Sequence, residues 1–115
     1  MSFKWDGSRR LRQKQAIRLV YRQGTRVKMP RGALFFLPAE DLRVAISVSK
    51  KTGQAVLRNR QKRLAREFFR YHQKEFVQPL WIVFVVYQPY KDLWDLSLEL
   101  LEACQKAGIL VCEKS

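Results

Sequence analysis

The chain has 115 residues, 47% of them hydrophobic, and a formal net charge of +13 at pH 7. This length fits one domain, and three Trp, seven Phe and four Tyr can fill its core, which excludes a wholly disordered chain. In residues 1–74, 20 Lys and Arg against four Asp and Glu leave +16, whereas three against six in residues 75–115 leave −3, and this basic surface indicates a polyanionic partner, with nucleic acid ahead of an acidic membrane.

Both ends of the chain and its two cysteines bear on its setting. Residues 1–10 are polar and basic, and we expect them and residues 113–115 to be mobile. Cys104 and Cys112 are too few for a disulfide framework or a four-ligand zinc site, so we expect reduced thiols, with Cys104 packed. No signal-peptide pattern opens the sequence, and the longest apolar run, residues 80–87, is too short to span a bilayer. We therefore expect a cytosolic protein.

The first two thirds of the chain predict a helix followed by three strands. Apolar side chains recur at helical spacing in residues 11–23, and Gly24 stands where that helix would end. Strands are predicted at residues 26–29, 33–37 and 42–49. The third strand alternates, placing Val44, Ile46 and Val48 on one face and Arg43, Ala45, Ser47 and Ser49 on the other, which implies a sheet with one covered face.

A basic helix is predicted after Gly53, reaching to about residue 76. Its apolar arc is formed by Leu57, Leu64, Phe68 and Tyr71. The opposite arc carries Arg58, Asn59, Lys62, Arg63, Arg66 and Arg70. Like charges this close destabilise a helix unless anions are present. A merely solvated face would normally alternate with Glu, and only Glu67 is available.

The last third predicts a strand and a helix. Residues 81–87 are continuously apolar, which is typical of a strand buried on both faces. Asp92 is a predicted N-cap for a helix that ends near Gly108. Its apolar positions are Leu93, Leu96, Leu100, Cys104 and Ala107.

Several polar and aromatic groups are candidates for binding RNA. Lys50, Lys51 and the backbone amides near Gly53 lie where a helix N-terminus favours an anion, although the spacing of a nucleotide-binding phosphate loop is absent. Ile17 and Tyr21, or the neighbouring pair Phe35 and Phe36, could form a platform for bases. Core packing is the default interpretation for all four.

Catalytic groups are scarce. His72 is the only histidine, and its position at the margin of the apolar arc predicts a partly packed helix residue rather than a general base. The carboxylates of the last helix have the spacing of capping and surface residues, and neither a transition-metal set nor a calcium loop is indicated. If catalysis occurs, another molecule is expected to supply it.

A long motif with fixed spacing identifies a family. Residues 43–70, and above all Gly53-x-Ala-Val-x-Arg-Asn-Arg-x-Lys-Arg-Leu-x-Arg66, closely resemble the signature of the protein component of bacterial ribonuclease P. The resemblance extends over most of the chain. It implies an α/β sandwich in which a four-stranded sheet packs with three helices in the order α-β-β-β-α-β-α, the basic helix forming the crossover between parallel strands.

The same resemblance implies a function. In that family a catalytic RNA removes the 5′ leader from precursor tRNA with magnesium ions that the RNA mainly holds, and the small basic protein assists. The implied partners are therefore the catalytic RNA and precursor tRNA, with no membrane and no obligate protein partner. The residues implied for docking on the catalytic RNA are Arg58, Asn59, Arg60, Lys62, Arg63, Arg66 and Arg70. Those implied for the leader are Ile17, Tyr21, Phe36, Ser47, Ser49, Lys50 and Lys51.

The sequence departs from the family pattern at four positions. Ile17 and Phe36 stand where Phe and Tyr are more usual, which removes one stacking ring and one hydroxyl. Gln61 interrupts the basic motif where an apolar residue is usual, and Tyr87 replaces a usual Arg, so that residue's RNA contact is not carried over.

Two rival functions account for the positive charge but not for the rest of the pattern. A ribosomal or general RNA-packaging protein would need the positive charge, but not the fixed spacing around Arg58, Asn59 and Arg60, and it would not prefer substrates that carry a 5′ leader. A sequence-specific DNA binder is disfavoured, because the basic helix lies between strands rather than in a helix-turn-helix.

Overall fold

Residues 10–110 are described by a computed structural model, and they form three helices and four strands. In chain order these are α1 (Lys14–Gln23), β1 (Thr25–Met29), β2 (Gly32–Pro38), β3 (Arg43–Val48), α2 (Ala55–His72), β4 (Leu80–Val86) and α3 (Leu93–Ala107), with a 3₁₀ turn at Lys50–Thr52. This order confirms the predicted fold. The mobility predicted for both ends falls almost entirely on residues 1–9 and 113–115, which lie outside the described part, as does Cys112.

The four strands form one mixed sheet in the order β1-β2-β4-β3. The pairs β1–β2 and β2–β4 are antiparallel, whereas β3 and β4 are parallel. Parallel neighbours need a long connection, and α2 provides it. The basic helix is therefore fixed at both ends by strands of the same sheet.

The main core lies between the sheet and helices α2 and α3. Leu34 and Phe84 from the sheet meet Phe69 of α2 and Leu100 of α3, and all four are fully buried. Burial of side chains of this size contributes roughly 1.5–3 kcal/mol each. This core holds α2 against the sheet, so its opposite side is free to face a partner.

The inward side of α2 differs from the predicted apolar arc. Gln61, Ala65, Phe68 and Phe69 are its buried residues, whereas Tyr71 is 61% exposed, so the prediction of Tyr71 in the core is wrong. A tyrosine can occupy either an apolar or a solvated position, and helical spacing alone does not distinguish the two. The helix also ends at His72, not near residue 76, because the chain turns there and Phe76 forms a β-bridge with Leu110.

Helix α1 covers part of the second face of the sheet. Its Ala16 and Val20 pack with Leu11 against Val83 and Val85 of β4, which confirms that β4 is buried on both faces. Gly24 ends α1 as predicted, since a Cβ there would lie 2.4 Å from the Val20 carbonyl oxygen and 2.6 Å from that of Phe36. Between α1 and the strand ends, the second face remains open.

The start of α1 is later than predicted. The helix begins at Lys14 rather than at Leu11. Arg10 instead forms a parallel bridge with Val44, and the Leu11 N–H donates to the Val44 carbonyl at 3.0 Å. This extended segment therefore lies along the outer edge of β3.

The boundaries of α3 agree with its capping residues. Asp92 accepts a hydrogen bond from the Asp95 N–H at 2.9 Å, and Gly108 ends the helix in the left-handed conformation at φ 71°. Cys104 is fully buried, as predicted, and burial raises the pKa of its thiol to about 12. No helix within residues 10–110 is long and apolar enough to cross a membrane.

Candidate nucleic-acid interface

The outward side of α2 carries most of the residues predicted to dock on RNA. Asn59, Arg60 and Arg63 are exposed, and Arg58, Lys62, Arg66 and Arg70 are half-buried. Within residues 10–110, only Arg70 among the arginines and lysines of α2 forms an ion pair. The structure therefore presents six of the seven predicted residues on one helix without a neutralising carboxylate.

Arg70 differs from the other arginines because it is already engaged. Its guanidinium binds both carboxylate oxygens of Glu67, one turn earlier, and this hydrogen bonding raises the pKa of Arg70. Arg58 has a weaker local tie, since its Nε donates to the Gly53 carbonyl at 3.2 Å. The group best placed to meet phosphates is thus Arg60, Lys62, Arg63 and Arg66.

Gln61 explains how a polar residue fits inside this helix. It is fully buried, and its amide makes two hydrogen bonds to the backbone of Tyr90: Nε2 donates to the carbonyl at 3.0 Å, and Oε1 accepts from the N–H at 2.8 Å. Both the nitrogen and the oxygen of the buried amide therefore have a hydrogen-bond partner. The residue that interrupts the basic motif is the one that fixes α2 to the loop between β4 and α3.

The entry to α2 is built by a capped turn. Ser49 Oγ accepts from the Lys51 N–H at 3.2 Å, and buried Thr52 donates to the Val86 carbonyl at 3.4 Å. Gly53 adopts φ 149°, where a Cβ would approach Leu57 Cδ2 to 2.7 Å. Lys50 and Lys51 are exposed on this turn, so both ammonium groups stand at the junction between β3 and the basic helix.

Helix α1 meets the second face of the sheet at the surface where the family resemblance implies leader binding, and we call this surface the cleft. Tyr21 of α1 lies edge-to-face against Phe35 of β2, with ring centroids 4.7 Å apart, and half-buried Ile17 packs in the same cluster. Ser47 is exposed on β3 beside Val85 of β4. The strand alternation turns Ser47 to the same face as Ala45, which belongs to the α1 cluster.

The prediction of Phe36 in this cleft is wrong. Phe36 packs against the main core, on the face covered by α2 and α3, whereas Phe35 faces α1. Successive residues of a strand point to opposite faces, and both faces of β2 are apolar, so the sequence could not decide between the two rings. Phe35 is the residue that was missed.

Strand β1 adds two cations that sequence reasoning did not assign. Arg26 is paired with Phe35, and Lys28 with Ala33, so both side chains are directed to the cleft face, and both are exposed. Burial, and then the neighbouring Tyr87, raise the pKa of the Tyr21 phenol, whose ring packs on Phe35. The signal that could have found Arg26 and Lys28 is the alternation in residues 25–29, read together with the register of the hairpin.

Metal-ligating and catalytic groups are scarce among the described residues. No group of three or more His, Cys, Asp and Glu side chains within residues 10–110 could hold a metal ion. His72 packs on the ring of Phe68 at 4.5 Å, and its Nδ1 lies 2.7 Å from Glu75 Oε1. Its packed position agrees with the sequence prediction.

Comparison with known proteins shows the family of this chain. Residues 6–108 match the family model described as Ribonuclease P. A curated "Ribonuclease P protein component" from Finegoldia magna is 36% identical over 112 residues, covering 95% of this chain and 99% of its own length. Another, from Dictyoglomus thermophilum, is 31% identical over 115 residues, with 94% and 95% covered.

Solved structures agree with the sequence matches. The RNase P protein from Staphylococcus aureus superposes with a TM-score of 0.80 at 27% identity, covering 89% of this chain and 97% of that one. The RNase P protein from Thermotoga maritima gives a TM-score of 0.71 at 26% identity, with 84% and 96% covered. Fold and sequence therefore lead to the same assignment.

Proposed function

This chain belongs to the family of bacterial ribonuclease P protein components, and on that basis we propose that it is the protein subunit of a ribonucleoprotein endonuclease. It binds a catalytic RNA and assists that RNA in removing the 5′ leader from precursor tRNA in the cytoplasm. The RNA carries the catalysis and holds the magnesium ions. The protein contributes two binding surfaces and no catalytic side chain.

The observation that carries this proposal is the unneutralised side of α2. Arg60, Lys62, Arg63 and Arg66 project from a helix whose other side is locked into the core. In a free protein, such crowding of like charges is unfavourable. Phosphates of a folded RNA would neutralise it, so we assign these residues, with Arg58 and Asn59, to the catalytic RNA, and Arg70 to a lesser contribution.

The cleft suits the single-stranded leader. Single-stranded RNA is bound by apolar or aromatic side chains that contact bases and by cations that follow the backbone. Ile17, Tyr21 and Phe35 supply the first kind of contact. The second kind comes from Lys50 and Lys51 at one margin and from Arg26 and Lys28 at the other, with Ser47 and Ser49 beside the lysines.

Cleavage assays at low magnesium concentration test the function directly. The catalytic RNA is incubated with precursor tRNA, with and without the protein, and the rate of leader removal is measured. We expect the protein to raise the rate at low magnesium, because cationic side chains lessen the repulsion between two RNAs. An unchanged rate would contradict the proposal.

The matched control compares two substrates that differ in leader length. Precursor tRNA with a leader of several nucleotides and precursor tRNA with a single leader nucleotide differ only in what the cleft can hold. We expect the protein to tighten binding of the longer leader only. Equal tightening of both substrates would contradict leader binding in the cleft, but not the docking of α2 on the catalytic RNA.

A further inference from the structure

A second concave site lies at the outer edge of β3. It is a cavity of about 240 Å³, and we call it the edge pocket; among its lining residues are Arg10, Ile17, Ala45, Ile46, Lys62 and Arg66. It wraps around the edge of the sheet, because α1 covers one face there and α2 the other. Residues from both predicted RNA surfaces thus meet in one place.

The charges of the edge pocket are all positive. Arg10, Lys62 and Arg66 line it, and none of the three forms an ion pair within residues 10–110. Burial first, and then the neighbouring Arg10 and Arg63, lower the pKa of Arg66. A partly buried guanidinium that faces two other guanidinium groups is in an unfavourable environment, which a bound anion would reverse.

The rest of the pocket is apolar. Leu11 and Val44 are buried beneath it, and Ile17, Ala45 and Ile46 are half-buried in its wall. A site for free inorganic phosphate alone would have no use for this surface, whereas a ribose or base next to a phosphate could pack on it. The volume is below the roughly 300–1,000 Å³ of pockets that enclose whole small ligands, and it fits one unit of a polymer better.

We propose that the edge pocket binds a single nucleotide of RNA, with its phosphate held jointly by Arg10, Lys62 and Arg66 and its sugar or base against Ile17. This inference rests on the proposed function, because it gives the two RNA surfaces a shared point. It adds Arg10 to the binding residues. It also makes Ile17 part of the site that contains Lys62 and Arg66, rather than part of the aromatic cleft alone.

Binding to the isolated protein is the first test, and it requires no catalytic RNA. A single-stranded uridine pentanucleotide is titrated into the protein, and NMR follows the side-chain Nε–Hε signals of Arg10 and Arg66 and the methyl signals of Ile17 and Ile46. We expect all four to shift together with one dissociation constant. Shifts at Lys50 and Lys51 with none at Arg66 and Ile17 would overturn the proposal.

Double substitution tests whether one phosphate is shared. The affinity of the protein for the catalytic RNA, and of the assembled enzyme for precursor tRNA, is measured for Arg10→Ala, Arg66→Ala and the double variant over a range of salt concentrations. Loss of one charge-assisted contact costs roughly ten-fold in affinity. If both residues hold the same phosphate, the double variant loses little more affinity than either single variant. The slope of log affinity against log salt concentration then falls by about 0.7–0.9 in the double variant, the decrease expected for one phosphate. Additive losses, with a slope that falls twice, would refute the shared site.

Arg12→Ala is the matched control. Arg12 is exposed two residues from Arg10. Both arginines line a separate cavity beside Trp81, but only Arg10 also lines the edge pocket. We expect it to weaken binding less than Arg10→Ala, and an equal loss would mean that only net charge matters. Arg10→Ala should leave the midpoint of thermal unfolding unchanged or slightly raised, since it removes repulsion from Arg66. A large fall would identify Arg10 as structural and contradict the proposal.

The source of the nucleotide is decided by the substrate. If the phosphate belongs to the leader, Arg10→Ala weakens binding of precursor tRNA to the assembled enzyme but not of mature tRNA. If it belongs to the catalytic RNA, the variant weakens assembly itself, and either result supports the edge pocket. If the pentanucleotide binds as expected but the protein does not stimulate cleavage, the proposed function is contradicted and nucleotide binding in the edge pocket is still supported.

Discussion

Helices α2 and α3 pack on the same core, yet they treat their charges in opposite ways. Arg31, from the turn between β1 and β2, binds Asp95 at 2.8 Å and Glu99 at 3.1 Å on α3. Glu99 also accepts from the Tyr90 hydroxyl at 2.7 Å, and the Arg31 guanidinium lies 4.4 Å from the centre of that ring. On α2, only Arg70 among the lysines and arginines has an ion-pair partner within the described residues.

This difference separates charges that hold the fold from charges that await a partner. The α3 network joins a hairpin, a loop and a helix, and its charged groups are paired with one another. Burial, and then hydrogen bonding to Glu99, raise the pKa of the Tyr90 phenol well above its ordinary value. The α2 cations contribute nothing comparable to the free protein, so their value is expected to appear only on binding.

The salt dependence of binding to the catalytic RNA should show the largest effect. If the α2 side and its neighbours engage about six to ten phosphates, affinity falls by on the order of 10³–10⁵ between 50 and 200 mM salt, because counterions released from the RNA must be taken up again. Filter binding over this range checks it. A nearly flat dependence would contradict a phosphate-docking surface.

Removing two arginines from α2 should weaken binding without harming the fold. For Arg60→Ala with Arg63→Ala we expect affinity for the catalytic RNA to fall by about 10²-fold, at roughly ten-fold for each charge-assisted contact. Lys91→Ala with Lys106→Ala removes the same charge near and along α3 and serves as the control. Unfolding of the α2 variant would show that these arginines are structural, as the α3 network is.

Gln61→Leu, in contrast, should lower the stability of the fold. Leucine fills similar space but leaves the Tyr90 N–H and carbonyl without their buried partner, so the free energy of unfolding should fall by about 1–3 kcal/mol. Urea unfolding measures it. Gln105→Leu, at an exposed position of α3, should change stability far less. If the two variants lose the same stability, the hydrogen bonds between Gln61 and the Tyr90 backbone contribute nothing to the stability of the fold.

Asp95→Asn should give the smallest effect, a loss of stability that is present above pH 4 and disappears in acid. Hydrogen bonds, first from Arg31 and then from the Lys91 N–H, lower the pKa of Asp95 to about 2, against about 3.9 in an unfolded chain. The folded pKa is depressed, so the stabilisation is present above pH 4 and is lost as the pH falls toward 2. Acid unfolding should therefore be steeper in the wild type than in Asp95→Asn. Glu102→Gln should retain the wild-type steepness.

Local signals predicted most of the fold. Asp92, Gly24 and Gly108 act within one turn of their own positions, and the alternating or continuous apolar runs fix which strands have one or two buried faces. The details that failed depend on distant partners. Gln61 looks like an interruption in the sequence, because its partner at Tyr90 lies 29 residues away. Phe35 and Phe36 are separable only once a helix covers one face.

The site was predictable to the same extent. The α2 cations follow from helical spacing and from the scarcity of acids, and the structure places them as expected. Arg26 and Lys28 could not be assigned, because only the strand register places them on the cleft face. Arg10 could not be assigned, because an edge contact with Val44 brings it beside α2.

The extended segment at Arg10 and Leu11 also has a consequence for solubility. An uncovered edge strand offers its backbone to any other extended chain and is a common starting point for aggregation. By lying along β3, this segment occupies part of that edge with backbone from the same molecule. A chain shortened to begin at Lys14 would keep every helix and strand described above, yet it would expose β3 to pairing with a second copy.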